Sequence, residues 1–280
     1  MFIFEILKAV LFGIVEGITE WLPVSSTGHL ILLNEFINLK VSQEFQSMFD
    51  VVIQLGAILA VIVLFFHKLN PFDKGKSPAK KKATWALWFK VCLAIIPSGV
   101  VGVLFDDWMD AHLHSGIPVA IALIVYGVAF MLVERRNSGK DMKVNDVHAI
   151  GYKTALLIGA FQCLSLVPGT SRSGSTILGA ILLGVGRAAG SEFSFFMAIP
   201  TMLGASAIKL LKFLLSGAAF GFGEFVLLIV GTVVSFVVSM FAIKALMNYV
   251  RKHSFSAFGW YRIVLGAVVL VYFVVKGILA

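Results

Sequence analysis

GIVEGITEWLPVSSTGH, residues Gly13 to His29, has a near copy later in the chain: GAFQCLSLVPGTSRSGST, Gly159 to Thr176. Each stretch opens on Gly as an apolar helix and carries a polar side chain three residues on, Glu16 or Gln162. Each breaks at a proline, Pro23 or Pro168. Each then runs into hydroxyls: Ser25, Ser26 and Thr27 in the first, Thr170, Ser171, Ser173, Ser175 and Thr176 in the second. The surroundings are strongly apolar. Of the 280 residues, 59% are hydrophobic and 14% charged, and the mean hydropathy is +0.95. A soluble domain of this length cannot hide so much apolar surface. The class is an all-α polytopic membrane protein, because only helices or closed barrels satisfy their backbone in lipid.

Ten apolar segments can be marked, near 1–22, 28–39, 48–66, 85–105, 117–133, 150–167, 175–190, 192–214, 222–249 and 257–279. A spanning helix needs roughly 20 residues, and 28–39 and 175–190, which follow the two prolines, are too short. The reading is about six transmembrane helices plus two re-entrant helical hairpins. Residues 1–280 form one integral membrane domain, with approximate repeats 1–133 and 150–280 joined by a linker, 134–149. Met48–Ala57 and Phe196–Ala205 extend the repeat. Lysines crowd the 67–90 loop, and Arg135, Arg136, Lys140 and Lys143 the linker; with Arg251 and Lys252 these mark the cytoplasmic side. The 106–116 loop, with Asp106, Asp107 and Asp110, faces out; Lys209 and Lys212 near an outer end weaken this assignment without reversing it. The halves are then inverted copies, an architecture that places broken helices at mid-membrane. No signal-peptide pattern is expected, since Glu5 precedes Lys8 and Glu16 interrupts the apolar run. Cys92 and Cys163 read as small buried hydrophobes. The net charge of +8 lies in loops and does not indicate nucleic acid. Oligomeric state is left open, a homodimer included.

Ionisable groups at membrane depth are functional candidates. Glu16 and Glu20 share a helix face with Gly13 and Gly17, which allow a helix or a ligand to come close. Two carboxylates in a low dielectric repel, so one takes a proton or both share a cation. Mg²⁺ or Ca²⁺ held by carboxylates and phosphate oxygens meets that need. Past each proline a new helix starts, and helix starts attract anions. Arg172 adds a planar fork suited to phosphate and pairs with Glu16, Glu20 or a ligand. Most of the hydroxyls are as well explained as caps. Ser26 differs, because Glu20 and His29 stand near it, and a nucleophile beside a base is what covalent catalysis requires.

At these residues the chain resembles the undecaprenyl-diphosphate phosphatase family, the bacterial bacitracin-resistance phosphatases. EGITEWLPVSSTGH (Glu16–His29) is similar to that family's glutamate-rich motif and SSTGH segment. PGTSRSGST (Pro168–Thr176) is similar to its PGxSRSxxT motif, and SEFSFFMAIP (Ser191–Pro200) and Phe49–Val61 match flanking segments. The resemblance implies hydrolysis of the terminal phosphate of undecaprenyl diphosphate, giving the monophosphate lipid carrier for cell-wall synthesis, in the bacterial plasma membrane. It also implies a divalent cation and an active site facing outward. It carries functional roles to Glu16, Glu20, Ser26, His29, Ser171, Arg172 and Thr176. Joined with the reading of the breaks, the expected catalytic set is Ser26, Glu20, His29 and Arg172. Ser25, Thr27, Ser171, Arg172, Ser173 and Thr176 are expected to bind phosphate, and Glu16 and Glu20 the metal. Ser26 is the expected nucleophile, with Glu20 or His29 as base. His29 as nucleophile and direct attack by water are the rivals.

A transporter of polyprenyl phosphate is the competing class, supported by the inverted repeat. A pure carrier has no need of a nucleophile with a base. The type-2 phosphatidic acid phosphatase class is weaker still: Pro97-Ser98-Gly99 is followed by Val100 where that class has His.

Overall fold

In the computed structural model the described residues are 2–113, 115–216 and 221–279, with the backbone alone at 106, 107, 110 and 111. They form α1 (Phe2–Thr19), α2 (Ser26–Phe36), α3 (Gln43–Val52), α4 (Gln54–Leu64), α5 (Phe66–Leu69) and α6 (Pro78–Leu113). There follow α7 (Gly116–Asn137), α8 (Tyr152–Gln162), α9 (Arg172–Leu182), α10 (Arg187–Leu215), α11 (Phe222–Val250) and α12 (Ser256–Leu279). Among the described residues, six helical stretches are long and apolar enough to cross a membrane: 43–64, 78–105, 116–137, 187–215, 222–250 and 256–279. The chain is an all-α multi-pass membrane protein. Its outward faces carry large apolar side chains such as Val103, Leu132 and Phe241, as contact with lipid requires.

The two broken regions are helical hairpins that enter from opposite ends. Gly13 packs on the Gly231 carbonyl and Gly17 on the Ser235 carbonyl, so α1 runs alongside α11 and stops near its middle. A side chain at either glycine would hold α11 away. The Lys8 ammonium donates to the Asn38 carbonyl (2.6 Å) and the Lys40 amide to Glu5 (2.9 Å), so the chain leaves α2 at the end where α1 began. In the second hairpin, Gly159 lies on the Ala94 carbonyl and the Gln162 amide donates to Ser98 Oγ (2.6 Å). Thus α8 follows α6 to its middle. The return through α9 brings Gly184 to Val144, beside the start of α8.

The basic loops gather at this second end. Lys68 pairs with Glu192 (2.6 Å), Lys90 donates to the His148 carbonyl (2.9 Å), Arg187 pairs with Glu134, and the Phe255 amide donates to Glu134 (3.0 Å). Residues from all three Lys/Arg-rich stretches therefore share one face of the bundle.

Two expectations are corrected. The acidic 106–116 stretch is no loop, because α6 continues to Leu113; the side chains of Asp106, Asp107 and Asp110 lie outside the described residues. Cys92 is exposed on α6 and Cys163 half-buried. In a membrane protein an apolar surface is an ordinary place for a thiol, so burial was the wrong inference.

Candidate active site

Both breaks are built the same way. Ser25 and Ser171 have φ of 73° and 74°, and they are the non-glycine residues with positive φ among those described. Side chains rarely adopt this region, and it persists where the surroundings impose it. Each serine caps the helix after it: Ser25 Oγ accepts from the Gly28 amide (3.2 Å) and Ser171 Oγ from the Gly174 amide (3.0 Å). Ser26 and Arg172 are therefore equivalent residues, each the first of its helix. The leading N–H groups of a helix have no acceptor within it, so both starts offer donors at the meeting point.

Glu20 joins the two tips. Its Oε2 accepts from Ser26 Oγ at 2.5 Å, and its Oε1 accepts from Arg172 Nε (3.3 Å) and Nη2 (3.1 Å). The carboxylate is 5% exposed and the Arg172 side chain 10%, so this pair lies largely away from solvent. Arg172 Nη1 donates to the Ser194 carbonyl on α10 (2.8 Å), and its guanidinium lies 5.8 Å from the Trp21 ring centre. The fork is thus aimed from two sides, by the first break and by α10.

The remaining expected residues divide by position. Ser173 Oγ donates to the carbonyls of Glu20 (3.1 Å) and Leu22 (3.2 Å) and so ties tip to tip. Thr176 Oγ1 meets the Arg172 carbonyl (2.9 Å) and Ser194 Oγ (2.6 Å), bracing the residue that receives the fork. The Ser25 and Ser171 hydroxyls are occupied as caps, and Thr27 is half-buried at the second position of α2. His29 stands apart from the Ser26–Glu20 pair. Its Nδ1–H donates to the Ser25 carbonyl (2.7 Å), which leaves Nε2 to accept from the Tyr261 hydroxyl (2.7 Å). Neither Tyr261 nor the adjacent Arg262 stood out in the sequence. Arg262 is fully buried, with its guanidinium on the Pro23, Gly169 and Thr170 carbonyls. The rule that singled out Arg172, an ionisable group within an apolar segment, applies equally to Arg262 in 257–279.

The family described as bacitracin resistance protein BacA matches residues 9–268. The chain belongs to the BacA family. A relative named undecaprenyl-diphosphatase, from Enterococcus faecalis, is 58% identical over 268 residues, covering 95% of this chain and 96% of its own. One of the same name from Streptococcus thermophilus (strain ATCC BAA-250 / LMG 18311) is 55% identical over 275 residues, 98% of this chain and 96% of its own. Another from Limosilactobacillus fermentum is 56% identical over 269 residues, 96% and 98% respectively.

Whether this BacA-family site suits a divalent cation can be judged from Glu16. The residue is fully buried, and neither carboxylate oxygen has a hydrogen-bond partner among the described residues. Glu20, Asp50 and Arg172 lie within electrostatic reach. An unpaired buried carboxylate is costly, and a hard cation is a suitable partner. Among the described residues no three His, Cys, Asp or Glu side chains gather around one point. Glu16 and Glu20 alone would hold such a cation from one side and leave its other positions to phosphate oxygens and water, as Mg²⁺ accepts.

Proposed function

We propose that the chain hydrolyses undecaprenyl diphosphate to undecaprenyl phosphate and inorganic phosphate, the reaction its relatives are named for. The observation that carries this reading is the contact of Ser26 with Glu20 at the point where two helix starts and the Arg172 fork converge. A carrier alone has no use for a hydroxyl held on a carboxylate.

The terminal phosphate enters between the two tips. Its oxygens take donors from both helix starts and compete with Glu20 for the Arg172 fork. As the fork turns to phosphate, Glu20 keeps its contact with the Ser26 hydroxyl. Ser26 Oγ attacks phosphorus while its proton passes to Glu20. The bond from phosphorus to the bridging oxygen breaks, and undecaprenyl phosphate leaves with the bonding pair. Glu20 gives its proton to the departing undecaprenyl phosphate; water then attacks the phosphoserine and passes a proton to Glu20, which returns it to Ser26 Oγ as the Oγ–phosphorus bond breaks and inorganic phosphate departs. Charge stabilisation supplies most of the acceleration in such transfers. A divalent cation, Mg²⁺ or Ca²⁺, would be held by Glu16 and Glu20 with the diphosphate and would neutralise its charge. His29 acts through its neighbours, steadying α2 between the Ser25 carbonyl and Tyr261.

The lipid tail takes the apolar groove of about 400 Å³ beside the second break, lined by Ile121, Val125, Leu164 and Val167. It reaches Leu113 and Pro118, at the end away from the basic loops. With those loops in the cytoplasm, the protein lies in the bacterial plasma membrane with its site facing outward. The direct test is phosphate release from C55 diphosphate by the purified protein, with and without EDTA. Release that EDTA abolishes and Mg²⁺ restores is expected. No release from a folded, metal-replete preparation overturns the assignment.

A further inference from the structure

Arg262 lies outside both motifs, in the second turn of α12. Gly127 against Gly259 brings α12 close along α7, and Arg262 then points into the meeting place of the two tips. Its Nη1 donates to the Pro23 carbonyl (3.0 Å), and its Nη2 to those of Gly169 (2.8 Å) and Thr170 (2.9 Å). The guanidinium lies 5.4 Å from the Tyr126 ring centre. One of these carbonyls belongs to the first break and two to the second. Only a planar fork can reach across to all three at once. Among the described residues its recorded hydrogen bonds all run to main-chain carbonyls and none to a carboxylate, so its charge has no acidic hydrogen-bond partner. A methyl group placed on Gly174, in the first turn of α9, would lie 3.1 Å from its Nη1. The charge therefore stands directly behind a helix start.

The tips need such a tie. They enter from opposite ends of the bundle, and their other direct links are Ser173 on the Glu20 and Leu22 carbonyls and the Arg172–Glu20 pair. In the mechanism above, the Arg172–Glu20 pair opens when phosphate takes the fork. We propose that Arg262 is a positioning residue for the reaction. It clasps the first tip to the second and so fixes Ser26 relative to Arg172 while phosphate is bound. This rests on the phosphatase reading of the site. Arg262 touches neither the nucleophile nor the fork, so its effect falls on the geometry of the transition state.

The test uses Arg262→Lys and Arg262→Met in the full-length protein. Small misplacements of reacting groups cost about a hundredfold, so kcat for C55 diphosphate should fall by about that factor while KM stays within about threefold. Lys keeps the charge but not the fork and should not rescue kcat. A second measurement, hydrogen exchange read by mass spectrometry, does not depend on turnover. Protection should fall together in peptides covering 20–29 and 166–176, by about tenfold or more, with α10 and α11 unchanged. Either variant turning over within threefold of wild type overturns the inference, as does unchanged protection at both tips. If the Met variant fails to accumulate, the Lys variant decides by both measures. Wild-type protein that releases no phosphate counts against the phosphatase reading alone, and the exchange data still judge the clasp.

Discussion

Glu20 faces two partners with opposite demands, the Ser26 hydroxyl on one oxygen and the Arg172 fork on the other. Glu20→Gln keeps the shape but cannot take a proton, and Ser26→Ala removes the attacking oxygen. Each should lower kcat by at least about a thousandfold, as loss of an activated nucleophile does elsewhere. Ser26→Ala should still bind the lipid, since the fork and helix starts remain. Rapid quench with terminally labelled substrate should trap label on Ser26. Label on His29, or Ser26→Ala retaining most of its turnover, would refute the serine route. Arg172→Lys keeps the charge but loses the fork to Glu20 Oε1 and the contact to Ser194, so activity should fall about a hundredfold. A Lys variant within a few fold of wild type would remove Arg172 from the site. These residues were legible because each is polar, close to a proline, and part of a pattern that occurs twice. His29 is three residues from Ser26, and its ring meets the Ser25 carbonyl and the Tyr261 hydroxyl, partners that sequence distance does not disclose.

At the scale of elements, Pro23 and Pro168 followed by hydroxyls are enough to forecast two short helices. The positive φ at Ser25 and Ser171 was not legible, because serine gives no sign of that conformation and the surrounding fold imposes it. Nor did the Gly13–Gly17 face say whether a helix or a ligand would cover it; the answer is α11. A Cβ on Gly17 would lie 2.8 Å from the Ser235 carbonyl. Gly17→Leu should therefore cost on the order of 1–3 kcal/mol by overpacking, seen as a lower melting temperature in detergent, and should shift Glu20 with α1. A variant that melts like wild type would mean that α11 yields freely. The groove beside α7 makes a separate claim. Ile121→Trp should fill it and raise KM for C55 diphosphate about tenfold, roughly 1.4 kcal/mol of binding. KM for a short-chain diphosphate should change little. Equal effects on both substrates would place the tail elsewhere.

At the scale of the whole molecule, composition decided the class, since no other fold gives 59% hydrophobic residues a place to go. Arg262 and Tyr261 were hidden from that view. They reach the site only through the packing of α12 along α7, a long-range fact that no local pattern carries. Orientation is where sequence and structure can be set to one test. The basic loops come together at one end of the bundle, linked by Lys90 to His148 and Arg187 to Glu134, while α6 ends and α7 begins at the other. Cytoplasmic loops hold the excess of Lys and Arg, so Ser77 should face the cytoplasm and Ser115 the outside. Both positions are exposed, and each takes a cysteine without disturbing the core. In a background with Cys92 and Cys163 replaced, a cysteine at Ser115 should react with impermeant maleimide in intact cells. One at Ser77 should react only after the cells are opened. The reverse pattern would turn the molecule over, place the tail groove toward the cytoplasm, and require the enzyme to act on lipid in the inner leaflet.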